Sequence, residues 1–393
     1  MAIAEIKGEK VIAKVWAPLS EVESSALDQI RNVASLPWTE GVSIMPDVHT
    51  GTGCTIGTVL LTKDAVIPSV VGVDPGCGMM AVQTNLIRGE LPRNLGPLRE
   101  EIEAAIPVGF NSHGDLHSFV KKRHGYLFDE ASNANPVLQA ITGATPFMQQ
   151  LGTLGGGNHF IELCHDKNGC VWIMLHSGSR NFGKRVAEYY QHAATKLEHN
   201  KYLPDRSLSA FLVNSPECDS YLQSMNICQQ YAKANREVMI ELIHRVLEQH
   251  FPKVDHLITV ACHHNYIDRE IHRGSEFFVT RKGAIRAENG EWGIIPGAMG
   301  NGSASYITFG KGNEESFNSA PHGAGRAMSR GAAKRKFTVD DLEFVTKGIE
   351  CRKDKGVIDE IQGAYKPIAD VMEHASDLVT PEYELHALLC IKG

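Results

Sequence analysis

Apolar residues recur at helical intervals from Asp219 to Gln249, where Met225, Ile227, Met239, Ile243 and Leu247 mark one face. The methionines among them read as core filler, because a flexible thioether fits irregular gaps. The same periodicity predicts helices over Leu95–Ala105, Leu116–Glu130 and Phe182–Leu197. A further helix is predicted over Ser20–Ser35, with Ser20 as N-cap and Glu23 as its reciprocal partner. Short apolar runs predict strands over Val11–Trp16, His159–Cys164, Val171–Leu175, Leu257–Ala261 and Glu276–Thr280. From Gly41 to Met80, β-branched runs alternate with Gly and Pro, which predicts strands separated by functional loops rather than helices. The Gly/Ser/Asn tract Gly297–Ser305 reads as an ordered loop.

No linker, repeat or low-complexity tail divides the chain. The expectation is one interwoven α+β unit over residues 1–393, with mixed sheets and peripheral helices. At 393 residues, two domains or one elaborate domain would be ordinary. A composition that is 42% hydrophobic and 22% charged is that of a soluble globular protein. The apolar runs are strand-sized and far short of a membrane span. The start, Met1-Ala2-Ile3-Ala4-Glu5, lacks the basic and apolar regions of a secretory signal. Nine cysteines without disulfide-like spacing then imply reduced thiols and a cytoplasmic location. The net charge of −7 argues against wholesale coating of nucleic acid. It leaves room for local basic patches, of which Arg330–Lys336 and Lys121–His124 are the candidates. The second reads more simply as a solvated face.

Chemistry concentrates beside Gly-rich loops. His322 lies in Ser319-Ala320-Pro321-His322-Gly323-Ala324-Gly325-Arg326, where glycine would let a bulky anion approach the main chain. A helix continuing through Arg326–Arg330 would aim its N-terminal amides at the same spot. Four other loops carry metal-ligand types: Asp74 and Cys77 in Gly72–Gly78, His159 after Gly155-Gly156-Gly157-Asn158, His176 before Ser177-Gly178-Ser179-Arg180, and His264 in Cys262–Asn265. Each has a plainer reading. Asp74 could bond its own turn, Cys77 could be a small buried hydrophobe, and a lone histidine is most often only structural. Five such coincidences favour a common site. One Asp, one Cys and three His suit Mn²⁺ or Zn²⁺, and are too rich in nitrogen and sulfur for Mg²⁺ or Ca²⁺. His49 sits in a similar turn and is read as supporting or substrate-facing. Of the adjacent His263 and His264, only one can face the site if they lie on a strand.

Together these motifs resemble the RtcB family of RNA ligases. The segments that carry the resemblance are Met45-Pro46-Asp47-Val48-His49, Gly72–Met79, Leu151–Glu162, Leu175–Arg180, His263–Tyr266, Val279–Ala284, Ile295-Pro296-Gly297, His322–Arg326 and Ile391-Lys392-Gly393. They span nearly the whole chain in family order. The resemblance implies a GTP-dependent enzyme with two Mn²⁺ ions. Asp74, Cys77 and His159 would hold one ion, and Cys77, His176 and His264 the other, with a shared thiolate. His322 would be the nucleophile that takes GMP from GTP. Asn158, Glu162, Ser305, Arg326, Tyr365 and Lys392 match positions that hold the guanylate, although the loop Asn301–Ser305 departs in length from the family pattern. Arg180 matches an arginine that handles RNA or phosphate. The implied substrates are RNA with a 3′-phosphate or 2′,3′-cyclic phosphate end and RNA with a 5′-hydroxyl end, in repair or tRNA splicing. The short chain without insertions points to a bacterial repair or housekeeping type. The rival readings are a di-metal phosphoesterase that uses no GTP, and a non-catalytic RNA-end or nucleotide-binding relative.

Overall fold

The structure, a computed structural model, describes residues 1–393. Two mixed sheets hold most of the strands. The first runs, in spatial order, Ala4–Lys7, Ile12–Val15, Thr39–His49, Ile56–Thr62, Ser275–Lys282 and Asn265–His272. Its pairs are antiparallel except Ile12–Val15 beside Thr39–His49. The second runs His256–His263, Gly78–Ile87, Cys170–Ser177, Phe160–His165, Val379–Lys392, Ser305–Gly310 and Trp292–Ile295, with Glu350–Cys351 parallel to Val379–Lys392. This sheet curls until its two edge strands lie against each other. Both sheets draw strands from distant parts of the sequence, and the α+β expectation holds.

Strand register gathers the chemistry at one edge of the second sheet. His176 lies opposite Met79 on one neighbour and Phe160 on the other. His263 pairs with Gly78, and Lys392 pairs with Phe160. Five adjacent strands therefore come to one rim with Cys77, His159, His176, His264 and Lys392 at or beside their ends. A slip of one residue would turn these side chains to the other face.

Behind that rim packs the helix Pro216–His250. Ser215 caps it, its Oγ accepting the Cys218 N–H at 3.2 Å, and Pro216 takes the first-turn position that needs no N–H donor. The helix thus starts three residues before the predicted Asp219. Met225, Ile227, Met239, Ile243 and Leu247 are all buried, as the periodicity requires. From this otherwise apolar face, Asn235 and Arg236 reach into the rim. Arg236 Nη1 donates to the carbonyls of Gly76 and Ser177, both at 2.9 Å. Asn235 accepts the Gly152 N–H at 2.8 Å and donates to the Gly178 carbonyl at 3.2 Å.

Four predicted elements differ. Residues 20–35 form a 3₁₀ turn, Leu19–Glu21, and a helix, Ser24–Ala34, with Glu23 at the N-cap and no side-chain cap bond. The Glu23 carboxylate is engaged by the Thr50 hydroxyl instead, so the predicted capping box does not form. Residues 116–130 split into Ser118–His124 and Tyr126–Ala134, meeting at Gly125. The stretch 41–80 is strand-rich but includes a helical turn, Pro68–Val71, started by Pro68. The helix after His322 begins only at Arg330, with Ser329 capping it through the Ala332 N–H. Arg326 is held extended by a bridge to Tyr365 and by its Nε bond to the Met328 carbonyl at 3.0 Å, so no helix end points at His322. No helix is long and apolar enough to cross a membrane.

A second buried charge cluster braces the strand before His322. Fully buried Arg281 donates to Ser319 Oγ at 2.9 Å and the Phe317 carbonyl at 3.0 Å, and pairs with both oxygens of Glu270. Burial pushes the Glu270 carboxyl up, but His272 and Arg281 pull harder and bring it to about 2. Its ordinary value is 4.5, so the pairing stabilises the fold above that pH and is lost as pH falls towards about 2. Glu270→Gln, leaving Arg281 buried and uncompensated, is expected to cost about 3–5 kcal/mol at pH 7. In denaturant melts from pH 6 to pH 2.5, wild type should lose stability more steeply than the variant; parallel curves would refute the account.

Candidate active site

Asp74 and Cys77 lie in the turn that feeds the strand Gly78–Ile87. The buried Cys77 Sγ is 3.4 Å from His159 Nε2 and 3.3 Å from His176 Nε2. His176 Nε2 is 3.2 Å from His264 Nε2, and Asp74 Oδ2 is 3.3 Å from His159 Nε2. All five residues predicted as ligands thus join in one chain of contacts, and within it the donor atoms of Cys77, His159 and His176 all lie within 4.8 Å of one another, with Asp74 added at His159 and His264 at His176. The plainer readings fall. The Asp74 carboxylate accepts the Ser179 N–H and Oγ–H at 2.8 and 2.7 Å rather than closing its own turn, and Cys77 faces two imidazoles. His263 turns away to the Gly76 carbonyl and Arg236, as strand alternation demands.

The cluster's chemistry fits a cation. His159 Nδ1 is 2.9 Å from the Leu154 carbonyl, which fixes the proton there and leaves the Nε2 lone pair facing Cys77 and Asp74. Burial, together with neighbouring imidazoles, pushes His176 and His264 well below the usual histidine range, so both are neutral. Burial and the Asp74 carboxylate push the Cys77 thiol well up. Burial opposes ionisation of Asp74, yet His159 and Ser179 bring it down to about 2. Buried nitrogen and sulfur atoms facing one another at such distances lack enough protons to satisfy all of them. A divalent transition ion would resolve this, and would favour the thiolate.

Next to the cluster opens a cavity of about 340 Å³, lined by Asn158, Glu162, His176, His322, Arg326, Arg330, Glu360, Tyr365 and Lys392 among others. His322 is carried by a two-stranded ribbon in which Pro321 pairs with Ala284, whose N–H in turn bonds the His264 carbonyl. Its ring stands 4.8 Å, centre to centre, from that of His264. His322 Nδ1 lies 2.6 Å from Asp47 Oδ2, bent away from linear hydrogen-bond geometry, and its backbone N–H donates to the same oxygen at 3.2 Å. Asp47 is wholly buried and its Oδ1 has no partner. His49 also lines the cavity, and burial pushes its imidazole down to about 4.

At the other end of the cavity a buried carboxylate organises the cations. Glu360 Oε2 accepts from Tyr365 Oη at 2.6 Å and Lys392 Nζ at 3.1 Å, and Oε1 accepts from Arg326 at 3.2 Å. Burial opposes the Lys392 ammonium, but Glu360 holds its pKa above the ordinary lysine value. Burial pushes the Glu162 carboxyl up, against the opposing pull of Lys392. Asn158 is exposed at the cavity edge.

Apart from Asp74, Cys77, His159 and His264 in the adjoining cluster, two predicted residues stand outside the cavity lining. Ser305 Oγ accepts the Gly297 N–H at 3.0 Å and so braces the loop that forms one wall. Arg180 lies on the Asp74 side, donating to Thr153 Oγ1 at 2.9 Å and the Gly109 carbonyl at 2.7 Å. One glycine has a different reason from the one expected. At Gly325, φ is +70° and a Cβ would sit 2.2 Å from the Asp47 carbonyl oxygen, so it makes room for the chain that carries Asp47. Sequence reasoning gave no role to Asp47, Asn235, Arg236 or Glu360. Asp47 was legible as the carboxylate of the Met45–His49 motif; the other three carry no local signal.

Titration with Mn²⁺ or Zn²⁺ in a calorimeter should distinguish a donor of the cluster from a side chain that turns away from it. Cys77→Ala is expected to abolish tight binding, whereas His263→Ala should weaken it by no more than about tenfold, the lower range for supporting residues. Equal losses in the two variants would remove Cys77 from the ligand set.

Known proteins share this arrangement's sequence. The family model described as "tRNA-splicing ligase RtcB" matches residues 29–393. The chain is 42% identical to the RNA-splicing ligase RtcB1 of Escherichia coli strain ATCC 25922, over 98% of both proteins. It is equally 42% identical to the RNA-splicing ligase RtcB of Escherichia coli K12, again over 98% of both. The tRNA-splicing ligase RtcB of Methanococcus maripaludis is 32% identical over 95% of this chain and 92% of its own length. The match covers the rim of five strands, the metal-ligand cluster and the cavity around His322, and on it the chain belongs to the RtcB family.

Proposed function

We propose that this protein is a GTP-dependent RNA ligase, joining 3′-phosphate or 2′,3′-cyclic phosphate ends to 5′-hydroxyl ends in RNA repair or tRNA splicing. The observation that carries the reading is His322, poised between a buried carboxylate and the metal-ligand cluster at the mouth of a nucleotide-sized cavity. The Asp47 carboxylate, 2.6 Å from Nδ1, would favour the proton on that nitrogen and leave the Nε2 lone pair free to attack phosphorus. Attack on the α-phosphorus of GTP forms the N–P bond of a guanylylated His322 and breaks the bond to pyrophosphate. The GMP group then passes to the RNA 3′-phosphate, after opening of any cyclic phosphate, and Nε2 recovers its lone pair. Finally the 5′-hydroxyl attacks the RNA phosphate, loses its proton and expels GMP.

Asp74, Cys77 and His159 would hold one Mn²⁺ and Cys77, His176 and His264 the other. When bound, the two ions would polarise phosphoryl oxygens and offset charge on attacking and leaving groups. Asn158, Glu162, Tyr365 and Lys392 would bind the guanylate. Glu162 and Lys392 offer an acceptor and a donor for a base edge, and Glu360 keeps Lys392, Tyr365 and Arg326 oriented. Arg326 spends its donors on Glu360, Asp359, Tyr365 and Met328, so it shapes the wall as well as supplying charge. Arg180, on the Asp74 side, would meet the RNA. Ser305 would act by bracing the loop at Gly297.

The test is chemical. Incubation with labelled GTP and Mn²⁺ should release pyrophosphate and leave an acid-labile adduct that peptide mapping locates on His322. His322→Ala should lose both the adduct and ligation. An adduct on another residue would sink the assignment of the nucleophile; phosphate-ester hydrolysis without pyrophosphate release would favour the phosphoesterase. Asp47→Asn should preserve nucleotide binding and slow guanylylation by about 10²–10⁴-fold, the range for losing a positioned proton partner. An unchanged single-turnover rate would deny Asp47 its role.

A further inference from the structure

Phe110 is the most exposed large apolar side chain of the protein. Single surface aromatics are common and mean little alone. This one is fixed in place. The Leu154 N–H donates to the Pro107 carbonyl and the Gly109 N–H to the Gly155 carbonyl, each at 3.0 Å. The Arg180 guanidinium donates to the Gly109 carbonyl at 2.7 Å, and the His113 N–H donates to the Gln149 carbonyl at 3.0 Å. Gly109 turns the chain with φ +67°, while Val108 packs against the core and anchors the loop from below. The backbone leading to position 110 is therefore fixed beside Gly155 and Arg180, and the ring projects into water from there.

Position decides what the ring is for. The imidazoles form a row, His322 to His264 at 4.8 Å, His264 to His176 at 4.8 Å, and His176 to His159 at 5.2 Å between ring centres. Asp74 touches the His159 end, and its carboxylate is bonded by Ser179, next to Arg180. The Phe110 loop thus stands at the far end of the row from His322. In the last step of the proposed reaction GMP departs on the His322 side. In-line displacement brings the 5′-hydroxyl from the opposite side, where Arg180 and Phe110 stand.

We infer that Phe110 is a stacking platform for the terminal bases of the 5′-hydroxyl RNA strand, with Arg180, bonded to the adjoining Gly109 carbonyl, available to the backbone of the same strand. This rests on the ligase reading above. An aromatic face accepts any base, so the contact would give affinity without sequence preference. Arg180 adds charge that a chain of net charge −7 otherwise supplies only locally.

The experiment uses the full-length enzyme already guanylylated with GTP and Mn²⁺, and varies the concentration of one RNA strand at a time. Phe110→Ala should raise the half-saturating concentration of the 5′-hydroxyl strand by about 5–100-fold, the equivalent of losing one stacked base at ~1–3 kcal/mol. Guanylylation of His322 and half-saturation by the 3′-phosphate strand should be unchanged, and Phe110→Tyr should restore the wild-type value. Replacing the first nucleotides of the 5′-hydroxyl strand by abasic residues should weaken wild type and leave Phe110→Ala unaffected. The inference is overturned if Phe110→Ala saturates like wild type, or if the loss falls on the 3′-phosphate strand or on guanylylation. If wild type guanylylates but joins no RNA, the ligase reading fails instead. Fluorescence of Phe110→Trp, measured against wild type, separates the two: quenching by a 5′-hydroxyl oligoribonucleotide supports the platform, and no change refutes it.

Discussion

One buried guanidinium holds the site together. Arg236 rises from the long helix into the buried rim and gives its protons to the carbonyls of Gly76 and Ser177, with the His263 ring beside it bonded to the same Gly76 carbonyl. Those carbonyls belong to the loops that carry Cys77 and His176, so one side chain fixes two ligands from two strands. Asn235 does the same for the loop before His159, through Gly152 and Thr153. Each orphaned backbone group would cost about 1–3 kcal/mol if the clamp were lost. The loops are irregular because ligand geometry requires it, and the helix supplies the partners that a sheet ladder cannot.

Charge is arranged around this clamp in three layers. Burial holds the His176 and His264 imidazoles neutral and the Cys77 thiol up, so these groups add no positive charge to the cluster. His322 stands between that cluster and the buried Asp47. Beyond it Glu360 gathers Lys392, Tyr365 and Arg326. A phosphate-bearing ligand entering the cavity would meet cations already oriented by a carboxylate, at little cost in side-chain freedom. The Glu270–Arg281 pair contributes from the other flank, since it fixes Ser319 and Phe317 and hence the ribbon that presents His322. Rigid placement of His322 thus comes from buried ion pairs on two sides.

The five residues expected as metal donors were legible as a group because each lies in a loop or at a strand end, and because Asp, Cys and His are seldom gathered without chemistry. The long helix was equally legible from its apolar period. Local signals misled where tertiary partners competed for them. Glu23 had the spacing of a capping box, but Thr50 engages its carboxylate. Arg326 had a helix-like sequence around it, but Tyr365, Glu360 and the Met328 carbonyl hold it extended. Gly325 suggested room for a ligand, whereas the room is taken by the backbone of Asp47.

Read without coordinates, the chain yields an inventory: which residue types lie in which loops, the α+β alternation of periods, and the family to which those motifs belong. Convergence is added by folding. Residues from Cys77 to Lys392 meet at one rim because strand register brings five chain segments into step, and register is a property of pairs of strands. The roles of Arg236, Asn235 and Glu360 were likewise invisible in one dimension. A buried charge is recognised by the partners that surround it, and several lie far along the chain: Gly76 is 160 residues from Arg236, and His322 is 275 from Asp47.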